Sequence, residues 1–145
     1  MSKVSVYLNF TDSTEAAFSF YKTVFGTEYL GEPSRYGDMP TEEGSPEPSE
    51  DFKRLILNVQ LPIMDGTLLM GSDAPTEMGF GLKMGNNVQI CLHPDSREEA
   101  DRLYAALAEG GEARMPLQDQ FWGDYYGELA DKFGVVWLVA HTPSA

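Results

Sequence analysis

Short apolar runs typical of β-strands alternate along the chain with two longer stretches of helical spacing. The strand-like runs are rich in β-branched and aromatic residues, which favour extended structure. They are VSVYLNF (4–10), FKRLILNVQLP (52–62), TLLMGSD (67–73), VQICLH (88–93), EARMPLQ (112–118), GDYYGELAD (123–131) and VVWLVAH (135–141). TEYLGEPSRY (27–36) is predicted to be an irregular strand, and MDG (64–66) to be a tight hairpin turn.

The first helical stretch follows the first strand and has clear start and stop signals. Asp12 or Ser13 is predicted to cap it, and Gly26 to end it. Its apolar positions fall on one face: Ala17, Phe20, Tyr21, Val24 and Phe25. A second helix is predicted from a cap at Asp95 or Ser96 to the glycines at 110 and 111.

The two helical stretches are copies of one another. DSTEAAFSFYKTV (12–24) recurs as DSREEADRLYAAL (95–107), and the flanking strands recur at the same offset. Each half is therefore a strand, a helix and three strands, a unit too small to be stable alone. We expect a single α+β domain over 1–145, with βαβββ modules at about 1–74 and 87–142 and a linker at 75–86. Together they would form a curved eight-stranded mixed sheet around a cleft.

Two segments have loop composition. Residues 37–51 contain three prolines, two glycines and several acids, and residues 74–87 are rich in glycine and methionine. The first segment is open to two interpretations, a lid over a site or simple surface exposure.

Composition narrows the classes of partner. A formal net charge of −13 disfavours nucleic acid, because the surface would repel phosphates. No apolar run approaches the roughly 18 residues of a membrane span, and the N-terminal residues lack the pattern of a signal peptide. A lone cysteine, Cys91, fits a reducing compartment, so we expect a cytoplasmic protein.

Several segments resemble a known superfamily. They are YLNF (7–10), EAAFSFYKTVFG (15–26), LLMGSDA (68–74), EEADRLYAALAEGG (98–111) and MPLQDQFWGDYYGELADKFGVVWLV (115–139). The chain resembles the vicinal oxygen chelate superfamily (glyoxalase/bleomycin resistance/dioxygenase), and within it the PhnB-like, 3-demethylubiquinone-9 3-methyltransferase-like subgroup. The resemblance implies paired βαβββ modules and a homodimer. No glycine-rich loop of the kind that holds a nucleotide-like methyl donor follows a strand.

Enzymes of this superfamily hold one divalent metal with His, Glu or Gln side chains from both halves. Carried over to this chain, the ligand places fall at Ser5 or Val6, among 69–71, at Val88 or Gln89, and near Leu138. Only Gln89 could coordinate, and one neutral amide is a poor site for a divalent ion. We therefore expect no metal and no cofactor.

Other residues could contact a small molecule. Gln118 precedes a polar–aromatic segment in which amides would orient a ligand and flat rings would contact it. The candidate ligand-binding residues are Asp73, Gln89, Gln118, Phe121, Trp122 and Tyr125. Asp73 could equally cap a turn, and each aromatic could equally be a core or dimer residue. Cys91 and His93 lie on one strand face as a possible nucleophile and base, or as a small thiol beside a surface imidazole.

These residues support functions of different classes. The first is binding of a small apolar or aromatic molecule without a metal. The alternative is an enzyme, either a metal-dependent lyase, isomerase or dioxygenase, or a metal-free acid–base catalyst that uses Asp73 or a histidine. A structural or regulatory partner protein is the third.

Overall fold

The computed structural model describes residues 2–144 of the chain. Contacts divide it into two compact units, with the boundary between Leu82 and Lys83. The fold is α+β, which confirms the predicted class: eight strands in two four-stranded mixed sheets, with three α-helices. The eight strands are hydrogen-bonded as two sheets of four. Within the described residues, no helix combines the length and the apolar character that a bilayer crossing requires.

The first unit contains four strands and two helices. In chain order they are β1 (Val6–Phe10), α1 (Thr14–Phe25), β2 (Ser34–Arg35), α2 (Glu50–Arg54), β3 (Ile56–Pro62) and β4 (Leu68–Asp73). The order in the sheet is β1-β4-β3-β2. Strands β1 and β4 are parallel and the other neighbours are antiparallel.

The second unit repeats this arrangement with one helix fewer. Its elements are β5 (Ile90–Leu92), α3 (Arg97–Ala108), β6 (Glu112–Asp119), β7 (Tyr125–Ala130) and β8 (Val136–His141). The order is β5-β8-β7-β6, with β5 parallel to β8. The duplicated sequence therefore produces the same strand order twice.

Helix α1 covers one face of the first sheet. Leu8, Gly71 and Val59 lie in register on β1, β4 and β3. A Cβ atom on Gly71 would lie 2.5 Å from Cε1 of Phe18, so the helix rests against this row. Because side chains alternate along a strand, the neighbouring residues lie on the opposite face. We call these sides the helix face and the free face.

The prediction of a strand over 52–62 is wrong at its start. Residues 50–54 form helix α2, and β3 begins only at Ile56. The hydroxyl of Ser49 accepts a hydrogen bond from the Phe52 amide at 3.2 Å, and the helix has acids in its first turn and bases in its last. An N-cap and charges that complement the helix dipole outweigh the strand propensity of the apolar residues that follow.

The predicted strand at 27–36 is mostly irregular. Only Ser34 and Arg35 are extended and paired. Gly31 adopts a left-handed backbone with φ of 74°, and Pro33 has no amide to donate, so the ladder is interrupted between Leu30 and Ser34. The strand predicted over 88–93 likewise shortens to Ile90–Leu92.

The predicted starts of both helices and the predicted end of α1 are confirmed, whereas α3 ends at Ala108, just before the predicted glycines. Ser13 and Ser96 are the N-cap residues, and Gly26 ends α1 in the left-handed conformation. The Ser96 hydroxyl accepts from the Glu99 amide at 3.1 Å, whereas Ser13 makes no side-chain cap bond. The first amide of α1 is instead capped by Asp73, at the end of β4.

Candidate functional site

A pocket of about 470 Å³ opens on the free face of the first sheet. Tyr7 and Asn9 of β1 and Ser72 of β4 form its floor, and Phe80 and Leu82 contribute apolar surface from the segment after β4. This floor follows directly from alternation, because Val6, Leu8 and Phe10 belong to the helix face.

The floor combines an aromatic surface with a polar pair. Tyr7 is 47% exposed. The Ser72 hydroxyl donates a hydrogen bond to Oδ1 of Asn9 at 3.2 Å, across the β1–β4 pairing. The Asn9 amide nitrogen and the phenol of Tyr7 can therefore hydrogen-bond a molecule that lies on this floor.

Tyr36 closes one side of the same pocket. Its hydroxyl donates to the backbone carbonyl of Asp73 at 2.8 Å. Burial raises the pKa of Tyr36, and the negative charge of the Asp73 carboxylate raises it further. The phenol is consequently a neutral donor at neutral pH, and it holds the end of β4 in place.

Asp73, a predicted ligand-binding residue, lies at the edge of this pocket with its side chain engaged in the fold. It is 2% exposed. Oδ1 accepts from the Thr14 amide at 3.0 Å and Oδ2 from the Ile56 amide at 2.7 Å. Asp73 thus supplies the cap that Ser13 does not, and it joins α1, β3 and β4. Its role in ligand binding remains a prediction.

In the second sheet, a Cβ atom on Gly127 would lie 3.0 Å from Cε2 of Tyr104 on α3, so the opposite side, which we call its free face, carries the neighbouring Glu128. Cys91, Leu138 and Glu128 lie in register across β5, β8 and β7. Nε2 of Gln89 donates to Oε1 of Glu128 at 2.7 Å. The predicted residue Gln89 therefore lies on this face, where it orients a carboxylate.

The thiol and the phenol on this face are held in their neutral forms. Burial raises the pKa of Cys91, and Asp124 raises it further. Burial also raises the pKa of Tyr126, with smaller contributions from Cys91 and Glu128. Cys91 is thus a thiol at neutral pH, which disfavours its use as a nucleophile.

The remaining predicted residues lie along β6, β7 and the turn between them. Gln118 pairs with Tyr126. Phe121 and Trp122 occupy the turn and are 98% and 50% exposed. The indole of Trp122 donates to Oδ2 of Asp124 at 3.0 Å.

Tyr125 makes contacts to helix α3. Its hydroxyl donates to Oδ1 of Asp101 at 2.5 Å, and the guanidinium of Arg97 stacks on its ring at 3.9 Å. This hydrogen bond is the main reason that the pKa of Tyr125 is raised. These contacts attach β7 to the helix, and a role of Tyr125 in ligand binding stays a prediction.

The structure adds residues that sequence reasoning did not single out. They are Tyr7, Asn9, Ser72, Phe80 and Glu128. The alternation in VYLNF contains the signal for the first two, because the apolar residues at 6, 8 and 10 assign 7 and 9 to the opposite face. Of the two metal positions carried over to the first strand, Val6 lies on the helix face, and alternation assigns Ser5 to the same side as Tyr7 and Asn9.

The donor set does not fit the divalent metal of the superfamily. Across residues 2–144, no three His, Cys, Asp or Glu side chains lie together as metal ligands. At the strand positions concerned, β1 offers Tyr7 and Asn9, β4 offers Met70 and Ser72, β8 offers Leu138, and the residue before β5 is Gln89, which is bonded to Glu128. Phenol, thioether and hydroxyl groups are poor ligands for such an ion, and one carboxylate with one neutral amide does not complete its coordination.

Comparisons with known proteins give a consistent family. The family model described as 3-demethylubiquinone-9 3-methyltransferase matches residues 2–140. Protein PA1353 from Pseudomonas aeruginosa has 33% sequence identity to this chain. Its crystal structure matches with a TM-score of 0.82, and the match covers 99% of this chain and 100% of that one.

Two further structures share the fold. The PhnB protein of Bacillus cereus is 23% identical with a TM-score of 0.75, over 97% of this chain and all of that one. A glyoxalase/bleomycin resistance protein/dioxygenase family enzyme from Burkholderia phytofirmans PsJN is 17% identical with a TM-score of 0.63, over 94% and 97% of the two chains. With the duplicated βαβββ units and the family match over nearly its whole length, this chain belongs to the PhnB-like 3-demethylubiquinone-9 3-methyltransferase family of the glyoxalase/bleomycin resistance fold.

Proposed function

We propose that this protein binds a small, uncharged aromatic molecule on the free face of its first sheet, without a catalytic metal. The observation that carries the proposal is the pocket of about 470 Å³ above Tyr7, Asn9 and Ser72. Its volume lies in the range of small-molecule sites, and it combines apolar walls with a few polar groups, as such sites do.

The lining indicates the charge of the ligand. Among the described residues, those around the pocket include no Lys or Arg; they are Tyr7, Asn9, Tyr36, Ser72, Asp73, Ala74, Phe80, Gly81 and Leu82. The only carboxylate among them, Asp73, already accepts two backbone amides. An anion would find no counter-charge and a cation no available carboxylate, so a neutral ligand with one hydrogen-bonding group fits best.

The family description names a methyltransferase, and the loops of this chain bear on that activity. The turns that lead from β1 into α1 and from β5 into α3 consist of residues 11–13 and 93–96, TDS and HPDS. Neither contains glycine, so neither offers the glycine-rich backbone cradle that holds a nucleotide-like methyl donor.

The proposal is tested with a panel of uncharged two-ring aromatics that each carry one hydroxyl or amide group, starting with 2-naphthol. We expect saturable binding and a raised thermal midpoint. Tyr7→Ala should weaken binding at least tenfold because the ring is the largest surface of the floor. Asn9→Ala and Ser72→Ala should each weaken it several-fold. Failure of every compound to bind would contradict the proposal.

A metal-dependent lyase, isomerase or dioxygenase is the competing function. Elemental analysis of the purified protein distinguishes it. A stoichiometric transition metal in the wild type that is absent from Glu128→Gln would favour that enzyme. Glu128 is the carboxylate that Gln89 orients on the free face of the second sheet.

We also propose a cytoplasmic homodimer. The exposed rings of Phe121 and Trp122 and the open edge of β6 support self-association. Sedimentation at low protein concentration tests it, and a monomer would contradict it.

A further inference from the structure

A second, smaller pocket lies on the helix face of the first sheet. Its volume is about 160 Å³. Phe18 of α1 and Val59 of β3 line it, together with Ile56 at the start of β3, and Pro33 and Tyr29 from the segment before β2. Phe18 and Val59 belong to the helix face, so the sheet separates this pocket from the floor of the free-face pocket.

An ion pair forms the rim of the pocket. Arg35 donates to both carboxylate oxygens of Glu15, at 3.2 and 2.7 Å, and to the carbonyl of Arg54 at 2.6 Å. The guanidinium and the carboxylate satisfy one another. The rim therefore offers little attraction to a charged ligand, and it holds α1 next to β2.

One polar group besides the rim lines the pocket. It is the phenol of Tyr29, whose pKa is raised chiefly by burial. A raised pKa keeps the hydroxyl protonated at neutral pH, so Tyr29 is an uncharged hydrogen-bonding group beside apolar walls.

We propose that this pocket binds one small uncharged aromatic ring, of the size of toluene or phenol. An apolar cavity of roughly 150 Å³ lined by aliphatic and aromatic side chains stays dry and accepts benzene. The pocket here has a similar volume, and four of its seven lining residues are apolar, with the ion pair at its rim and Tyr29 as the polar remainder. A two-ring compound is too large for it, so the two pockets select ligands by size, and neither requires the other to be occupied.

The test is a titration with 4-fluorotoluene. Fluorine NMR follows the ligand, and the amide shifts of isotope-labelled protein report where it binds. We expect saturable binding with shifts at Phe18 and Val59. Val59→Phe fills the pocket and should reduce affinity at least tenfold. Val59→Leu, a smaller insertion that preserves the fold if the larger one does not, should reduce it several-fold.

Tyr7→Ala is the matched control, because Tyr7 contacts only the free-face pocket of the two. It should leave 4-fluorotoluene affinity within about twofold while it weakens 2-naphthol binding at least tenfold. Absence of saturable 4-fluorotoluene binding, or binding that survives Val59→Phe, would overturn the second pocket without touching the first. Loss of binding in Tyr7→Ala would assign the ring to the free face instead.

Discussion

Two buried aspartates explain much of the fold at the scale of single residues. Asp131 is 4% exposed. Its Oδ1 accepts from the amides of Phe133 and Val135, at 2.8 and 3.0 Å, and its Oδ2 accepts from the indole of Trp137 at 2.9 Å. The segment DKFGVVW is therefore a hairpin turn closed by a carboxylate and an indole.

Asp131→Asn should destabilise the protein by about 2–3 kcal/mol. The amide nitrogen would face the indole N–H of Trp137, donor against donor, in a buried position. Urea denaturation measures the loss. Asp65→Asn, in the exposed hairpin turn between β3 and β4, is the matched control and should change stability by less than about 0.5 kcal/mol. Equal effects at both positions would contradict this role for Asp131.

Asp73→Asn separates a structural role from ligand contact. It keeps one acceptor for the amides of Thr14 and Ile56 and should cost about 2 kcal/mol of stability. Measured at a temperature where the variant is folded, 2-naphthol affinity should stay within about threefold. A tenfold loss in the folded variant would instead assign Asp73 to the ligand site.

Sequence reasoning offered Asp73 as a ligand contact or as the cap of the local turn in MGSDAP, and it identified neither partner of the carboxylate. The amide that Asp73 caps lies 59 positions away on α1, and this contact is set by the pairing of β1 with β4. The contacts of Tyr125 with α3 could not be predicted for the same reason. They depend on how β7 packs against the helix, whereas the aromatic character of the residue, which suggested a ligand contact, is a local property.

At the scale of elements, the contact of α1 with the first sheet depends on the absence of a side chain at Gly71. Gly71→Ala should destabilise the protein by about 2 kcal/mol, because its Cβ would overlap the buried ring of Phe18. Phe18→Leu removes the ring atoms that clash, so the double variant should be more stable than the sum of the two single losses predicts. Additive losses by urea denaturation would contradict direct contact.

The attachment of α1 to β2 should depend on pH. The hydrogen bonds from Arg35 hold the pKa of Glu15 below its usual value of 4.5. A lowered pKa in the folded state adds stability above the unfolded-state pKa, and this stability is lost as the pH falls through the folded-state value.

Glu15→Gln should therefore lower stability by about 0.5 kcal/mol at pH 7, the range of a partly exposed ion pair, and by less below pH 4.5. Thermal denaturation from pH 3 to 7 measures the difference. A difference that stays constant or grows in acid would contradict the pairing with Arg35.

Elements with local signals were predictable, and those without were not. The start of α1 and α3 and the glycine that ends α1 follow from residues within one turn. Helix α2 was missed because its five residues adjoin an apolar run that favours a strand. The strand predicted over 27–36 was too long because only Ser34 and Arg35 pair with β3. Pairing with a distant strand is not visible in the local composition.

At the scale of the whole molecule, duplication explains the architecture. Two copies of one βαβββ pattern produce two sheets with the same strand order. Sequence alone predicted the repeat and the fold class. It did not predict the polar floor of the free face, because the register that brings Asn9 to Ser72 is a long-range property.

The central claim is that this free face binds a neutral aromatic molecule without a metal. The most direct measurement is an NMR titration of chelator-treated protein with the two-ring panel, repeated with added zinc or manganese. We predict saturable amide shifts centred on Tyr7, Asn9 and Ser72, with affinity unchanged by metal. Binding that appears only after metal is added, or no binding by any compound, would contradict the claim.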